Sequence, residues 1–241
     1  MIAPLKRAAL SLSMVCLPAV ALAAQLCTED AMIVFDGSGS MSEMGFNQLD
    51  EPRIIEARRA VRRAAPNITR TRRVGLVVYG PGSDDPCRNI DLRFPPVPNA
   101  APQIISEVDA MLPAGNTPLT EAVQLAAEVL DYRTHAGVVV LVTDGKETCG
   151  GAPCELAATL AAEAEDLTVH VIGFKVRSDH FSWESQGRGD VQYGVTVASC
   201  LADRTGGEYF TTENATELAE AMMIALGCPQ LARSTGFQAI R

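Results

Sequence analysis

Histidine is scarce in this 241-residue chain: there are three, and His135, His170 and His180 are scattered. No second close cysteine pair accompanies Cys149-Gly-Gly-Ala-Pro-Cys154, so the spacing of a structural zinc site is missing. A P-loop is missing too, because no Gly-Lys-Ser/Thr follows a strand-like run. There is no G-x-S-x-G elbow to present a hydrolytic serine. After Ala24, no apolar run is long enough to span a bilayer. Positive charge is in deficit, with 20 Lys and Arg against 29 Asp and Glu and a formal net charge of −9. An acidic chain is a poor general partner for nucleic acid or anionic lipid.

The first residues, MIAPLKRAALSLSMVCLPAVALAA, carry Lys6 and Arg7, then an apolar stretch, then Ala21-Leu22-Ala23. That is the layout of a secretory leader with an A-x-A cleavage site. Residues 1–24 are therefore expected to leave as a signal peptide, taking Cys16 with them and leaving the chain more acidic. The remainder is expected to be soluble and outside the cytoplasm, periplasmic or secreted. Six cysteines stay behind: Cys27, Cys87, Cys149, Cys154, Cys200 and Cys228. An even number in an exported chain argues for disulfides. Chain ends often lie close together, which favours Cys27 with Cys228. Cys149 either closes a small loop with Cys154 or pairs with Cys87, leaving Cys154 for Cys200.

Strand-like and helix-like segments alternate along the chain. Periodicity and breakers predict strands over 31–35, 74–79, 138–142, 169–174 and 208–211, with an edge strand over 89–94. Helices are predicted over 53–65, stopped by Pro66, and over 103–112, 154–163, 196–204 and 215–226. A further helix over 117–130 has Thr117 as N-cap and Pro118 as its first residue. The Pro-rich stretch PPVPNAAP reads as a surface connection. Such alternation implies a mostly parallel sheet with one antiparallel edge strand and helices on both faces, in a domain over 25–228 followed by a flexible tail over 229–241. Ligands of such sheets sit beyond the carboxyl ends of the strands, where the strand order reverses.

At that end of the first strand stands AMIVFDGSGSM. Residues two apart in extended chain point the same way, so Asp36, Ser38 and Ser40 can converge, with Gly37 and Gly39 allowing the turn. Three oxygen groups make half a coordination shell for a hard cation. The other half is available from Thr117, in PAGNTPL, and Asp144, which ends VVVLVTDG. Competing readings fit less well. A dinucleotide fingerprint fails at its third glycine, where Ser42 stands. A phosphatase of the aspartyl-phosphate kind needs a second acid where Ser38 stands, and an ordinary Asx or serine turn does not account for Thr117 and Asp144.

The D-x-S-x-S of Asp36, Ser38 and Ser40, the threonine of GNTPL and the aspartate of VTDG, in this order and on these elements, resemble the von Willebrand factor A family. The resemblance spans residues 27 to 226, and DGKETCGGAPC resembles bacterial secreted members in particular. It implies a doubly wound, Rossmann-like, mostly parallel six-stranded sheet with one antiparallel edge strand. It also implies a metal-ion-dependent adhesion site made by Asp36, Ser38, Ser40, Thr117 and Asp144. Mg²⁺ suits two carboxylates with neutral hydroxyls better than Ca²⁺, and Ca²⁺ and Mn²⁺ are the alternative ions. The implied function is binding of a protein partner through a carboxylate on the metal, and not catalysis. A disulfide-stabilised structural module with a vestigial site is the alternative, and a hydrolase comes last. The arginines Arg53, Arg58, Arg59, Arg62, Arg63, Arg70, Arg72 and Arg73 read as a solvated helix face, or else as a docking surface for an acidic partner.

Overall fold

The computed structural model describes residues 27, 29–44, 51–82, 85–176 and 198–228. The leader expected over 1–24, the tail over 229–241, the start of the helix over 196–204 and His180 lie outside the described residues.

Strands β1 (Asp30–Asp36), β2 (Val74–Tyr79), β3 (Ile90–Val97), β4 (Ala136–Thr143), β5 (Asp166–Phe174) and β6 (Tyr209–Thr212) form one sheet. Their spatial order is β3-β2-β1-β4-β5-β6. All neighbours are parallel except β2 and β3, which pair antiparallel at the edge. The helices are α1 (Arg53–Ile68), α2 (Ala101–Ala110), α3 (Leu119–Val129), α4 (Pro153–Glu163), α5 (Ser199–Thr205) and α6 (Ala215–Ala225). This is the doubly wound α/β architecture that the alternation implies.

Residue alternation feeds two separate cores. Ile33, Phe35, Leu76, Val78, Val140 and Val142 pack with residues of α1, α2 and α6. Met32, Val34, Val77, Tyr79, Val139 and Leu141 pack with residues of α3, α4 and α5. Because both faces are covered, the central strands are continuous apolar runs. β1 lies between β2 and β4, so the chain winds outward from it in both directions and the switch point falls at its carboxyl end.

Three local expectations are corrected. α1 continues past Pro66 to Ile68. Pro66 lies in the last turn, where its missing N–H removes one helical bond, and buried Ala64, Ala65 and Ile68 hold that turn on the core. β3 includes Pro95 and Pro96, so PPVPNAAP begins inside the sheet; an edge strand tolerates proline, and the β2–β3 register is irregular there. α3 begins at Leu119 with Pro118 at the N-cap position, so Thr117 is not the cap.

Three disulfides join Cys27 to Cys228, Cys87 to Cys149 and Cys154 to Cys200. The small-loop alternative, Cys149 with Cys154, is not formed. The first bridge ties the segment before β1 to the end of α6, and the third joins the starts of α4 and α5. The second ties the β2–β3 connection to the loop after β4, beside the switch point. Such bridges fit an oxidising compartment. Among the described residues no helix is long and apolar enough to cross a membrane.

Arg59, Arg62 and Arg63 of α1, with Arg70 and Arg73 after it, are exposed, as a solvated face requires, but two of the eight arginines depart from it. Arg53 and Arg72 are buried. Arg58 donates to the carbonyls of Val108 and Met111, and Arg62 pairs with Asp109, clamping α1 to α2 and the segment after it. Arg59 pairs with Glu51 and Arg73 with Asp30, while Arg63 reaches Thr216 on α6. Arg53, Arg59, Arg62, Arg72 and Arg73 pair with carboxylates of the chain, which reduces the charge available to a docking surface.

Candidate metal centre

Parallel pairing sets the site. Phe35 is opposite Val142, so β1 and β4 end side by side and deliver Asp36 and Asp144 to neighbouring positions. Asp36 is fully buried. Its Oδ1 accepts the Ser38 N–H at 2.8 Å, and its Oδ2 accepts the Thr143 hydroxyl at 2.7 Å. Thr143 is itself held by the Tyr79 hydroxyl at 3.1 Å. Burial, with the Asp36 charge adding, raises the Tyr79 pKa well above its usual value, so this phenol remains a donor.

The turn after β1 carries the two serines into a short 3₁₀ helix, Gly39–Ser42. Ser40 donates its hydroxyl to Asp144 Oδ1 at 2.6 Å. Ser38 and Ser40 hydroxyls lie 3.0 Å apart, and since Ser40 spends its one proton on Asp144, Ser38 is the donor between them. Two glycines allow the surrounding loops to close up. Gly80, at φ 107°, lies so near the β1 turn that a Cβ there would sit 2.4 Å from the Ser38 nitrogen. Gly115, at φ 73°, accepts the Gly39 N–H through its carbonyl at 3.0 Å.

The contact between Gly39 and Gly115, with the bond from Ala114 N–H to Gly37 O at 3.0 Å, lays the 114–117 segment along the β1 turn. Thr117 follows from this placement. Its N–H donates to the Thr148 hydroxyl at 2.8 Å and its carbonyl accepts the Thr148 N–H at 3.2 Å. Glu147 provides the acceptor at the start of α3 that the sequence reading assigned to Thr117. Its Oε2 takes the Thr120 N–H at 2.9 Å and the Thr120 hydroxyl at 2.7 Å, while its Oε1 takes the Cys149 N–H at 2.8 Å.

Ser38, Ser40, Thr117 and Asp144 line one cleft of about 490 Å³, together with Glu43, Arg53, Asn116, Lys146 and Thr148. Asp36 lies directly behind this lining and not on it. Its Oδ1 retains a second lone pair beyond the bond from Ser38, whereas its Oδ2 accepts the Asp144 N–H at 3.4 Å as well as the Thr143 hydroxyl. Burial pushes the Asp144 carboxyl up to about 6, with the neighbouring Asp36 charge adding; the Ser40 hydroxyl and Arg53 act in the opposite direction. The donor set is therefore two carboxylates and three hydroxyls. Among the described residues no group of three or more His, Cys, Asp or Glu side chains comes together as a metal site. Soft metals have nothing to select there, whereas the oxygen set fits a hard divalent cation.

The residue that sequence reasoning missed is Arg53. Its Nη1 lies 2.7 Å from Asp144 Oδ2, with both side chains buried. Its place as the first residue of α1, shortly after the serine turn, was the available signal. Glu147 and Thr148 were also missed, although both lie within the DGKETC stretch.

An α/β sheet with an oxygen-lined cleft at its switch point defines the class of the domain. Residues 31–147 match the von Willebrand factor type A domain profile. It is 26% identical over 198 residues to the uncharacterized protein YwmD of Bacillus subtilis (strain 168), covering 78% of this chain and 81% of that one. The VWA domain of SpRpn10 superposes with a TM-score of 0.57 at 14% identity, covering 83% of this chain and 98% of that chain. The proximal thread matrix protein 1 of the mussel byssus, with a zinc-occupied MIDAS motif, superposes with a TM-score of 0.52 at 18% identity, covering 84% and 48% respectively.

Proposed function

We propose that the cleft binds a divalent cation through Asp36, Ser38, Ser40, Thr117 and Asp144 and, through that cation, a carboxylate on a protein partner. The observation that carries this reading is convergence: residues from the turn after β1, the segment before α3 and the end of β4 meet in one cleft. Two carboxylates match the charge of a divalent ion, and the hydroxyls add ligands without adding charge. Mg²⁺ fits best because it retains waters and accepts few protein ligands. Ca²⁺, Mn²⁺ and, by analogy with the zinc-bearing byssus protein, Zn²⁺ are the ions to compare with it.

Lys146 and Arg53 line the same cleft, which supports an acidic partner. No histidine is among its lining residues, and the two serine hydroxyls are engaged with each other and with Asp144, which supports binding over hydrolysis. The three disulfides support a location outside the cytoplasm, periplasmic or secreted, with residues 1–24 acting as the leader.

A second reading is favoured by one observation. Arg53 already neutralises Asp144, as expected of a disulfide-stabilised module whose metal site is vestigial. Calorimetric titration with Mg²⁺ separates the two. The proposed function predicts one-site binding that is lost in a Ser38→Ala/Ser40→Ala double variant with an intact fold. Absence of binding in the wild type favours the structural module, and wild-type affinity in the double variant refutes the assignment of these ligands.

A further inference from the structure

Arg53 is not explained by a cation site of two carboxylates and three hydroxyls. It starts α1, yet its side chain turns into the cleft and is buried. Nη1 lies 2.7 Å from Asp144 Oδ2, 3.5 Å from the Ser40 carbonyl oxygen and 3.7 Å from Glu43 Oε2. Nε is buried with no hydrogen-bond partner. An arginine carries five donors in a rigid fork, and burying one of them unmatched is costly. A helix start chosen only for packing would avoid that cost. The guanidinium is therefore held mainly by its charge pair with Asp144, the carboxylate whose other oxygen receives the Ser40 proton.

We propose that Arg53 is the resident counter-cation of the cleft and the residue that makes its ligand a carboxylate. This rests on reading the cleft as a divalent-cation site. With no divalent ion bound, Arg53 neutralises Asp144. A divalent ion must compete with it for the same carboxylate and bears its repulsion at short range, so ion binding alone is weak. Once the ion engages Asp144, the guanidinium loses its buried partner, keeps only the longer contacts with Glu43 and the Ser40 carbonyl, and faces a cleft that it shares with Lys146. A ligand carboxylate then meets the ion and a fork suited to both carboxylate oxygens. Ion and acidic ligand thus bind cooperatively, each supplying the charge that the other lacks.

The test uses Mg²⁺ alone, titrated by calorimetry into the full exported chain and three variants. Arg53→Gln is expected to bind Mg²⁺ about tenfold more tightly than wild type. Arg53→Lys keeps the charge and is expected to stay near wild type. Lys146→Gln, which removes an exposed charge from the same cleft, is expected to gain about twofold at most. Binding by Arg53→Gln that is no tighter than wild type overturns the proposal and leaves the cation site standing. An equal gain in Lys146→Gln overturns it too, because net charge then accounts for the effect. No binding in wild type or Arg53→Gln overturns both the proposal and the cation site, whereas binding in Arg53→Gln alone supports both. In the wild-type protein, the Arg53 Nε–H signal in nitrogen-15 NMR is expected to move in step with Mg²⁺ loading. A signal that stays fixed while Mg²⁺ binds overturns the proposal whether or not the variants fold.

Discussion

Ser40 Oγ donates to Asp144 Oδ1 at 2.6 Å, across 104 residues of sequence. This contact joins the turn after β1 to the end of β4, and it depends on the parallel register that sets Phe35 opposite Val142. The two halves of the site are therefore products of the sheet, and disturbing either half should be felt in both ion binding and stability.

Asp36→Ala should abolish Mg²⁺ binding and also weaken the fold. The Ser38 N–H and the Thr143 hydroxyl both lose their buried acceptor. Stranded buried donors cost about 1–3 kcal/mol each, partly offset here by relief of repulsion between the two aspartates. Asp36→Asn keeps an acceptor at this position and should lose ion binding with a smaller stability loss. Urea unfolding beside calorimetry checks this; wild-type stability in Asp36→Ala would show that the buried bonds contribute little.

The bridges should divide into two kinds. Cys87–Cys149 anchors the loop that carries Thr148, whose hydroxyl and N–H hold Thr117. Replacing both cysteines by serine should weaken ion binding several-fold and cost about 4 kcal/mol in the loop-entropy picture. Replacing Cys27 and Cys228 should lower the melting temperature while leaving ion affinity unchanged, since that bridge joins the ends of the domain. Equal losses of affinity in the two double variants would contradict this division.

Glu147 binds three donors across the start of α3 and the loop after β4. Glu147→Ala should cost about 1–2 kcal/mol, as the loss of a helix cap does, and should also weaken ion binding through Thr117. Glu147→Gln, which retains acceptor oxygen, should restore part of both. Thermal melts and titrations of the pair check it, and an unchanged ion affinity in Glu147→Ala would show that Thr117 needs no such support.

His170 gives a defined pH dependence. Burial, aided by the Arg72 charge, lowers its pKa to about 4, and its Nδ1 accepts the Glu208 N–H at 3.0 Å. The unfolded chain titrates this group near its usual value of about 6.5, so between these values the unfolded state holds more protons. Stability should be independent of this group above about pH 6.5 and fall by roughly 2–3 kcal/mol as pH drops toward about 4. His170→Gln should remove that part of the slope. Unfolding midpoints measured across this pH range test it, and an identical slope in the variant would assign the loss to other groups.

Most of the architecture is legible from local signals. The uninterrupted run VVVLVT requires a strand covered on both faces, and β4 is that strand. Asp36, Ser38 and Ser40 do come together, but through the turn into the 3₁₀ helix Gly39–Ser42 and not through extended alternation, while Asp144 follows from its place at a strand end and Thr117 from the segment before α3. Arg53 was not legible, because its partner Asp144 lies 91 residues away and an arginine in an arginine-rich helix reads as solvated. The continuation of α1 past Pro66 was hidden for a similar reason: core packing of Ala65 and Ile68 outweighs a local breaker. Cysteine pairing was narrowed to two alternatives, and the choice between them required the loop positions that only the folded sheet sets.

The central claim is that one divalent ion binds where these five residues converge. Anomalous diffraction from crystals grown with Mn²⁺ measures this most directly. The account predicts a single strong anomalous peak among the oxygens of Asp36, Ser38, Ser40, Thr117 and Asp144, with the Arg53 guanidinium moved away from Asp144. A cleft without an anomalous peak, with Arg53 still paired to Asp144 at saturating Mn²⁺, would contradict it.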